Sequence, residues 1–263
     1  MMHDSPTKIY LLSDLHLGAP DPARSLLREK HAVRFLREVA HDASHLYLLG
    51  DVFDFWFEYK RAVPRGYVRL LGQLAEMADR GVEIHVFAGN HDLWYRDYLH
   101  EQFGAILHHD PVEVAFFGRR YFLAHGDGLG PGDHGYKLMK RVFTHPLSKW
   151  LYARLHPNFG IALAQWLSQH GGNHSYGDGL PPEEQHKGHA EYLYAFARDM
   201  HRQRPDIDCY VFGHRHVLID DTLADGPQLV ILGDWIQYFS YLAIDEAGSQ
   251  LTVFPLQVSQ PQP

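Results

Sequence analysis

Ile9-Tyr10-Leu11-Leu12-Ser13-Asp14-Leu15-His16-Leu17 decides how the rest of the chain is read. Its first half is a short apolar run, the pattern of a buried strand. A strand that stops near Ser13 leaves Asp14 and His16 at its carboxyl end, where open α/β sheets place their ligands. A carboxylate and an imidazole together suit Mn, Fe, Zn or Mg rather than a soft metal alone. One Asp-x-His arises often by chance. Its weight here comes from four further clusters of the same chemistry, each after its own apolar run.

Leu46-Tyr47-Leu48-Leu49 runs into Gly50-Asp51, and Val82 to Ala88 runs into Gly89-Asn90-His91-Asp92. Tyr121 to Ala124, the second strand of an expected hairpin with Val112 to Phe117, ends in His125-Gly126-Asp127. Cys209 to Phe212 ends in Gly213-His214-Arg215-His216. Between the early strands, Arg24 to Ala40 and Arg65 to Arg80 carry apolar residues at helical spacing, and Gly81 closes the second as a cap. Leu93 to Glu101 also reads as helix. Strand–helix alternation predicts a largely parallel sheet in the first half. The later strands, Leu229 to Leu232, Ser240 to Ile244 and Leu251 to Phe254, follow without helices and predict a second, mixed or antiparallel sheet. The expected fold is therefore α/β, a two-sheet αββα sandwich with helices outside. It forms one domain over 1–263, with a helical insertion at 135–170. Tyr136 to Leu155 and Ile161 to Gln169 are the insertion's helices, Gly171 to Gly179 a polar loop, and Pro182 to Arg204 a further long helix.

Composition narrows the classes. Of 263 residues, 45% are apolar and 21% charged, ordinary for a soluble globular protein with a sizeable core. A net charge of −8 provides no overall basic surface for nucleic acid. Cys209 is the only cysteine, so no intrachain disulfide forms, which fits a reduced compartment. Met1 to Lys8 is polar and lacks a signal peptide's apolar core. No run reaches the ~18 apolar residues of a membrane span.

The five clusters supply seven metal-grade side chains: Asp14, His16, Asp51, Asn90, His125, His214 and His216. That is too many for one ion and suits two sharing a carboxylate. Paired ions roughly 3.5–4 Å apart activate water and clamp an in-line displacement at phosphorus. Each cluster alone has an ordinary explanation as a turn, a cap or a surface histidine. All five together do not. His31, His41, His45, His85, His100, His108 and His201 match no such pattern and are read as surface or packing residues.

This ordered set resembles the calcineurin-like metallophosphoesterase superfamily, over nearly the whole chain. The resemblance implies Asp14, His16, Asp51 and His216 around one ion, and Asp51, Asn90, His125 and His214 around the other, with Asp51 bridging. It implies His91 as general acid or phosphate-binding imidazole, with Asp92 orienting it. The ions of such enzymes are typically Mn, Fe or Zn, and Mn is the expectation here.

Asp14-Leu15-His16-Leu17, Leu49-Gly50-Asp51-Val52-Phe53-Asp54-Phe55-Trp56 and His125-Gly126-Asp127 further resemble the UDP-2,3-diacylglucosamine diphosphatases of lipid A synthesis. Those enzymes insert an apolar and basic helical lid after His-Gly-Asp. The resemblance implies a UDP-linked lipid sugar as substrate, release of UMP, contact with a membrane surface, and a cytoplasmic location peripheral to a bacterial inner membrane. Leu138, Met139, Val142, Phe143, Leu147, Trp150, Leu151, Leu155, Ile161, Leu163 and Trp166 could line an acyl groove. Lys137, Lys140 and Arg141, with Lys149 and Arg154, could meet a diphosphate or anionic headgroups. Asp54 and Trp56 are further candidate substrate contacts. The better-known diphosphatases carry arginine where this chain has His91, and imidazole cannot make arginine's bidentate phosphate clamp. The alternatives are a phosphodiesterase or phosphatase for another small phosphoester, and a non-catalytic scaffold. A scaffold predicts gaps in the ligand set.

Overall fold

The computed structural model describes residues 8–130, 134–170, 191–224 and 226–256. In chain order its first half contains β1 (Lys8–Leu12), α1 (Pro22–Val39), β2 (Ala43–Leu48), α2 (Val68–Asp79), β3 (Glu83–Phe87), α3 (Tyr98–Phe103) and β4 (Ile106–His108). The hairpin β5 (Val112–Phe116) and β6 (Arg119–Ala124) follows, then α4 (His134–Thr144), α5 (Pro146–Tyr152) and α6 (Pro157–His170). The remainder is α7 (Tyr192–Gln203), β7 (Cys209–Phe212), β8 (Leu218–Thr222), β9 (Gln228–Leu232), β10 (Ser240–Asp245) and β11 (Gly248–Val253).

Two sheets stack face to face. One has the order β11-β10-β1-β2-β3-β4, the other β5-β6-β7-β9-β8. Alternation along β1 shows why the layers form. Tyr10 and Leu12 join the cluster beneath α1 and α2, with Phe35, Leu36, Leu70 and Met77. Ile9 and Leu11 point the other way, into the gap between the sheets, against Tyr121, Leu123, Val211 and Val230. Outside the second sheet, Phe122, Tyr210 and Phe212 pack on Leu193 and Ala197 of α7. Strands covered on both faces read as continuous apolar runs, which is why β1 stands out in the sequence. At the start of α1, Asp21 caps Arg24 N at 2.9 Å and Pro22 fits the first turn, a cap worth about 1 kcal/mol.

The αββα class is as expected, and several details differ. The last two strands do not extend the second sheet. β10 pairs antiparallel with β1, so the first sheet is mixed. Strand order depends on long-range register, which local pattern does not encode. Leu93 to Asp97 is not helical. Only Tyr98–Phe103 is, because Trp94 makes a strand-like bridge with Phe57. The helix expected from Tyr136 to Leu155 is broken at His145-Pro146 into α4 and α5, since proline removes a donor and disfavours helix at the residue before it. The expected loop Gly171 to Gly179 and the first part of the helix from Pro182 lie outside the described residues.

Candidate functional site

The loops after β1, β2, β3, β6 and β7 meet at one end of the sandwich. The first two are zipped together: Asp14 N donates to Gly50 O at 3.1 Å, His16 N to Asp51 O at 2.9 Å and Leu17 N to Val52 O at 3.0 Å. Gly213 N donates to His125 O at 2.9 Å within the second sheet. His214 N then donates to Asp14 Oδ2 at 2.9 Å, joining the two sheets.

All seven residues singled out as metal-grade converge there. Asp14, His16 and His216 form one group with ligand atoms within 4.8 Å of one another, and Asp51, His125 and His214 form another. Asp51 Oδ2 lies 3.6 Å from His16 Nε2 and 3.4 Å from His125 Nε2, so one carboxylate oxygen faces both groups. Asn90 Oδ1 lies between His125 Nε2, at 3.1 Å, and His214 Nδ1, at 2.7 Å. His91, Asp51 and His16 form a third close group, with the His16 and His91 rings edge to face at 4.7 Å.

The arrangement fits cations. Asp14 Oδ1 is sealed from solvent and accepts no hydrogen bond; only the ring nitrogens of His216, at 3.3 Å, and His16, at 3.7 Å, approach it, and all three are metal-grade donors turned to one point. Two glycines make room. A Cβ on Gly89 would lie 2.2 Å from Asp51 Oδ1, and one on Gly213 would lie 2.7 Å from Asp14 Oδ2. Asp14, His16, Asp51, His214 and His216 all hold φ between +43° and +67°, a left-handed backbone that costs a non-glycine residue roughly 1 kcal/mol each. Such strain concentrates where function over-determines the backbone.

Without a metal, the buried carboxylates and imidazoles balance one another's charge. Burial alone would raise both carboxyls, but His216 holds Asp14, and His125 holds Asp51, well below the usual range. Burial and the neighbouring His125 push His214 down to about 3, leaving a neutral imidazole. Against burial, Asp51 raises His125 to about 10 and Asp14 raises His216 to about 10. Asp51 and Asp54, again against burial, raise His91 to about 9.

The expected orienting role of Asp92 does not hold. Its carboxylate faces backbone, accepting from Gly89 N at 2.8 Å, Val52 N at 2.8 Å, Asp51 N at 3.2 Å and Phe53 N at 3.2 Å, and from the Tyr95 hydroxyl at 2.6 Å. It pins the Asp51 turn. Asp54, expected to touch substrate, takes the orienting place instead: its Oδ1 lies 3.3 Å from His91 Nδ1 and 3.6 Å from His16 Nδ1. Trp56 is not a substrate contact, because it is fully buried, stacked on Phe53 and hydrogen-bonded to Glu58 at 3.0 Å.

Two carboxylates were missed. Asp234, after the apolar run of β9, meets His216 Nδ1 at 3.1 Å and caps the backbone N–H groups of Ile236, Gln237 and Tyr238. Leu232-Gly233-Asp234 repeats the strand–glycine–carboxylate pattern and was legible. Asp127 binds the Lys140 ammonium at 2.6 Å and the Tyr136 hydroxyl, tying α4 to the His125 loop. Lys137, Lys140 and Arg141 line a cavity of about 380 Å³ that also contacts His125, Asp127 and His109. Lys137 Nζ is bonded to Gly130 O at 2.6 Å. The helices beyond leave apolar side chains in solvent: Leu138, Leu147, Trp150 and Phe159 are each more than half exposed.

Comparison with known proteins agrees with this geometry. Residues 7–218 match the profile of the calcineurin-like phosphoesterase family. A Porphyromonas gingivalis protein named UDP-2,3-diacylglucosamine hydrolase is 40% identical over 252 residues, covering 91% of this chain and 94% of that protein. Proteins of the same name from Pseudomonas fluorescens and Azotobacter vinelandii are 31% and 30% identical, covering 96% and 94% of this chain and 98% of each relative. With its metal-binding groups assembled at the strand ends and the family profile spanning most of its length, the chain belongs to the calcineurin-like phosphoesterase family.

Proposed function

We propose that the chain is a dimetal hydrolase that cleaves the diphosphate of UDP-2,3-diacylglucosamine, releasing UMP and 2,3-diacylglucosamine 1-phosphate. The observation that carries this is the Asp51 carboxylate facing two histidine groups beside a cavity lined by Lys137, Lys140 and Arg141. The names of the relatives supply the substrate class.

Asp14, His16, Asp51 and His216 would hold one ion, and Asp51, Asn90, His125 and His214 the other. Mn is the expected metal, with Fe and Zn compatible with the same donors. When bound, the ions supply Lewis acidity and a water of lowered pKa for attack at phosphorus. His91, backed by Asp54, turns its remaining nitrogen toward the phosphate and donates a hydrogen bond there. Lys137, Lys140 and Arg141 carry the charge that balances the second phosphate.

The exposed apolar side chains of α4, α5 and α6 give the acyl chains and a bilayer surface something to meet. No helix among the described residues is long and apolar enough to cross a membrane. In this reading the helices form a lid, and the chain works on the cytoplasmic face of a bacterial inner membrane.

A second reading, a phosphodiesterase or phosphatase for another small phosphoester, is favoured by one feature. His91 stands where the better-known diphosphatases carry arginine. The test is UMP release from UDP-2,3-diacylglucosamine with Mn²⁺ and mild detergent, beside UDP-glucose and an aryl phosphodiester. Selective cleavage of the acylated substrate is expected. Equal cleavage of the aryl ester would favour the second reading.

A further inference from the structure

Histidines read from the sequence as surface or packing residues form a second cluster, far along the strands from the first. His45 lies near the start of β2, Glu83 opens β3, and His85 follows two residues later on the same face. In register His45 pairs with Glu83, and His85 pairs with Tyr47. His108, at the end of β4, completes a diagonal row across three parallel strands. The His45 and His85 rings are near-parallel at 6.0 Å, and those of His85 and His108 at 5.2 Å.

The hydrogen bonds orient these rings toward one point. Ser44 Oγ donates to Lys8 O at 3.0 Å, so it accepts from His45 Nδ1, also at 3.0 Å. That places the His45 proton on Nδ1 and the lone pair on Nε2. His85 Nδ1 lies 2.9 Å from His108 Nε2, leaving His85 Nε2 turned to Glu83 Oε1 at 2.8 Å. His45 Nε2 lies 3.9 Å from the same oxygen. The three donor atoms fall within 4.8 Å of one another. A zinc ion about 2.0–2.1 Å from each donor needs them about 3.3 Å apart. The half-exposed Glu83 oxygen, 2.8 Å from one imidazole nitrogen and 3.9 Å from the other, brackets that spacing.

We propose that His45, Glu83 and His85 form a separate binding site for a divalent transition metal, zinc or cobalt, with His108 as the hydrogen-bond partner of His85. Two imidazoles and one carboxylate, with a fourth position open to water, make a familiar zinc ligand set. The Nδ1 partners of both histidines match the outer hydrogen bonds that hold metal-binding imidazoles in place. In the metal-free chain a proton lies between His85 Nε2 and Glu83. There His85 accepts at Nδ1 from His108 Nε2. Metal takes the place of the Nε2 proton, which His85 then carries on Nδ1 and donates to His108 Nε2, while the His108 proton moves from Nε2 to Nδ1.

The full chain is dialysed against Zn²⁺, and zinc per chain is measured for wild type, Glu83→Gln and His45→Gln. Each variant should hold one zinc fewer than wild type while hydrolysing phosphoester at the wild-type rate. The difference does not depend on how many ions the phosphoesterase cluster holds. Equal zinc content in wild type and both variants overturns the site. A measurement on the wild type alone is independent of variant folding: carbethoxylation of His45, read by peptide mass, should be slowed at least tenfold by Zn²⁺. Unchanged labelling with zinc present also overturns it.

Discussion

The Asp54 carboxylate stands 3.3 Å from Nδ1 of His91, and the Asp54 backbone carbonyl lies 3.1 Å from the same nitrogen. The imidazole is thus held at one nitrogen by a single residue that also backs His16 at 3.6 Å. Carboxylates placed behind ligands and catalytic histidines typically govern 10–100-fold in affinity or activity. Asp54→Asn should lower turnover by about that factor and weaken metal retention through His16. Steady-state rates and metal content after dialysis check both effects.

Asp51 and His91 should separate cleanly. Asp51 Oδ2 faces both histidine groups, so Asp51→Ala should empty the metal cluster and abolish turnover. His91→Ala should keep its metal and lose about 10²–10⁴-fold in rate, the usual scale for a positioned acid or hydrogen-bond donor. Elemental analysis beside the rate assay distinguishes them. Loss of metal from His91→Ala would show that it is a ligand.

Asp92 belongs to stability. Its carboxylate satisfies four backbone N–H groups and the Tyr95 hydroxyl in a fully buried setting. Asp92→Ala leaves those donors without a partner, at a cost of about 3 kcal/mol in unfolding free energy. Denaturant melts should show this without any metal present.

Cys209 should be silent in the native state. It is buried in the layer between the sheets, and burial pushes its thiol well above the ordinary range. A thiol reagent at pH 8 should leave the folded chain unlabelled and label it fully in denaturant, because the thiolate is the nucleophile.

The site was more legible than its supports. Asp14, His16, Asp51, Asn90, His125, His214 and His216 each follow an apolar run, and strand ends in α/β folds gather in space, so order alone brought them together. The partners of those residues were harder to read. Asp92 beside His91 in sequence looked like its companion, yet the turn swings its carboxylate to backbone, and Asp54 arrives from another loop. No local pattern distinguishes two aspartates whose roles are exchanged by a turn. The left-handed backbone at Asp14, His16 and Asp51 was equally hidden, since none is glycine. Pairing of β10 with β1 was not legible either, because apolar alternation states a strand's face and not its neighbour.

That pairing has a consequence for how the molecule comes into being. β1 leaves the ribosome more than 200 residues ahead of β10. Until β10 arrives, one side of β1 remains an open template for other strands. Asp14 waits nearly as long for His214, which is 200 positions away. A nascent chain can therefore assemble α1, α2 and their strands early, but can complete its metal cluster only once the loop after β7 has followed, and seal the edge of β1 only once β10 has. Premature termination would yield a sticky, metal-free fragment rather than a weakened enzyme.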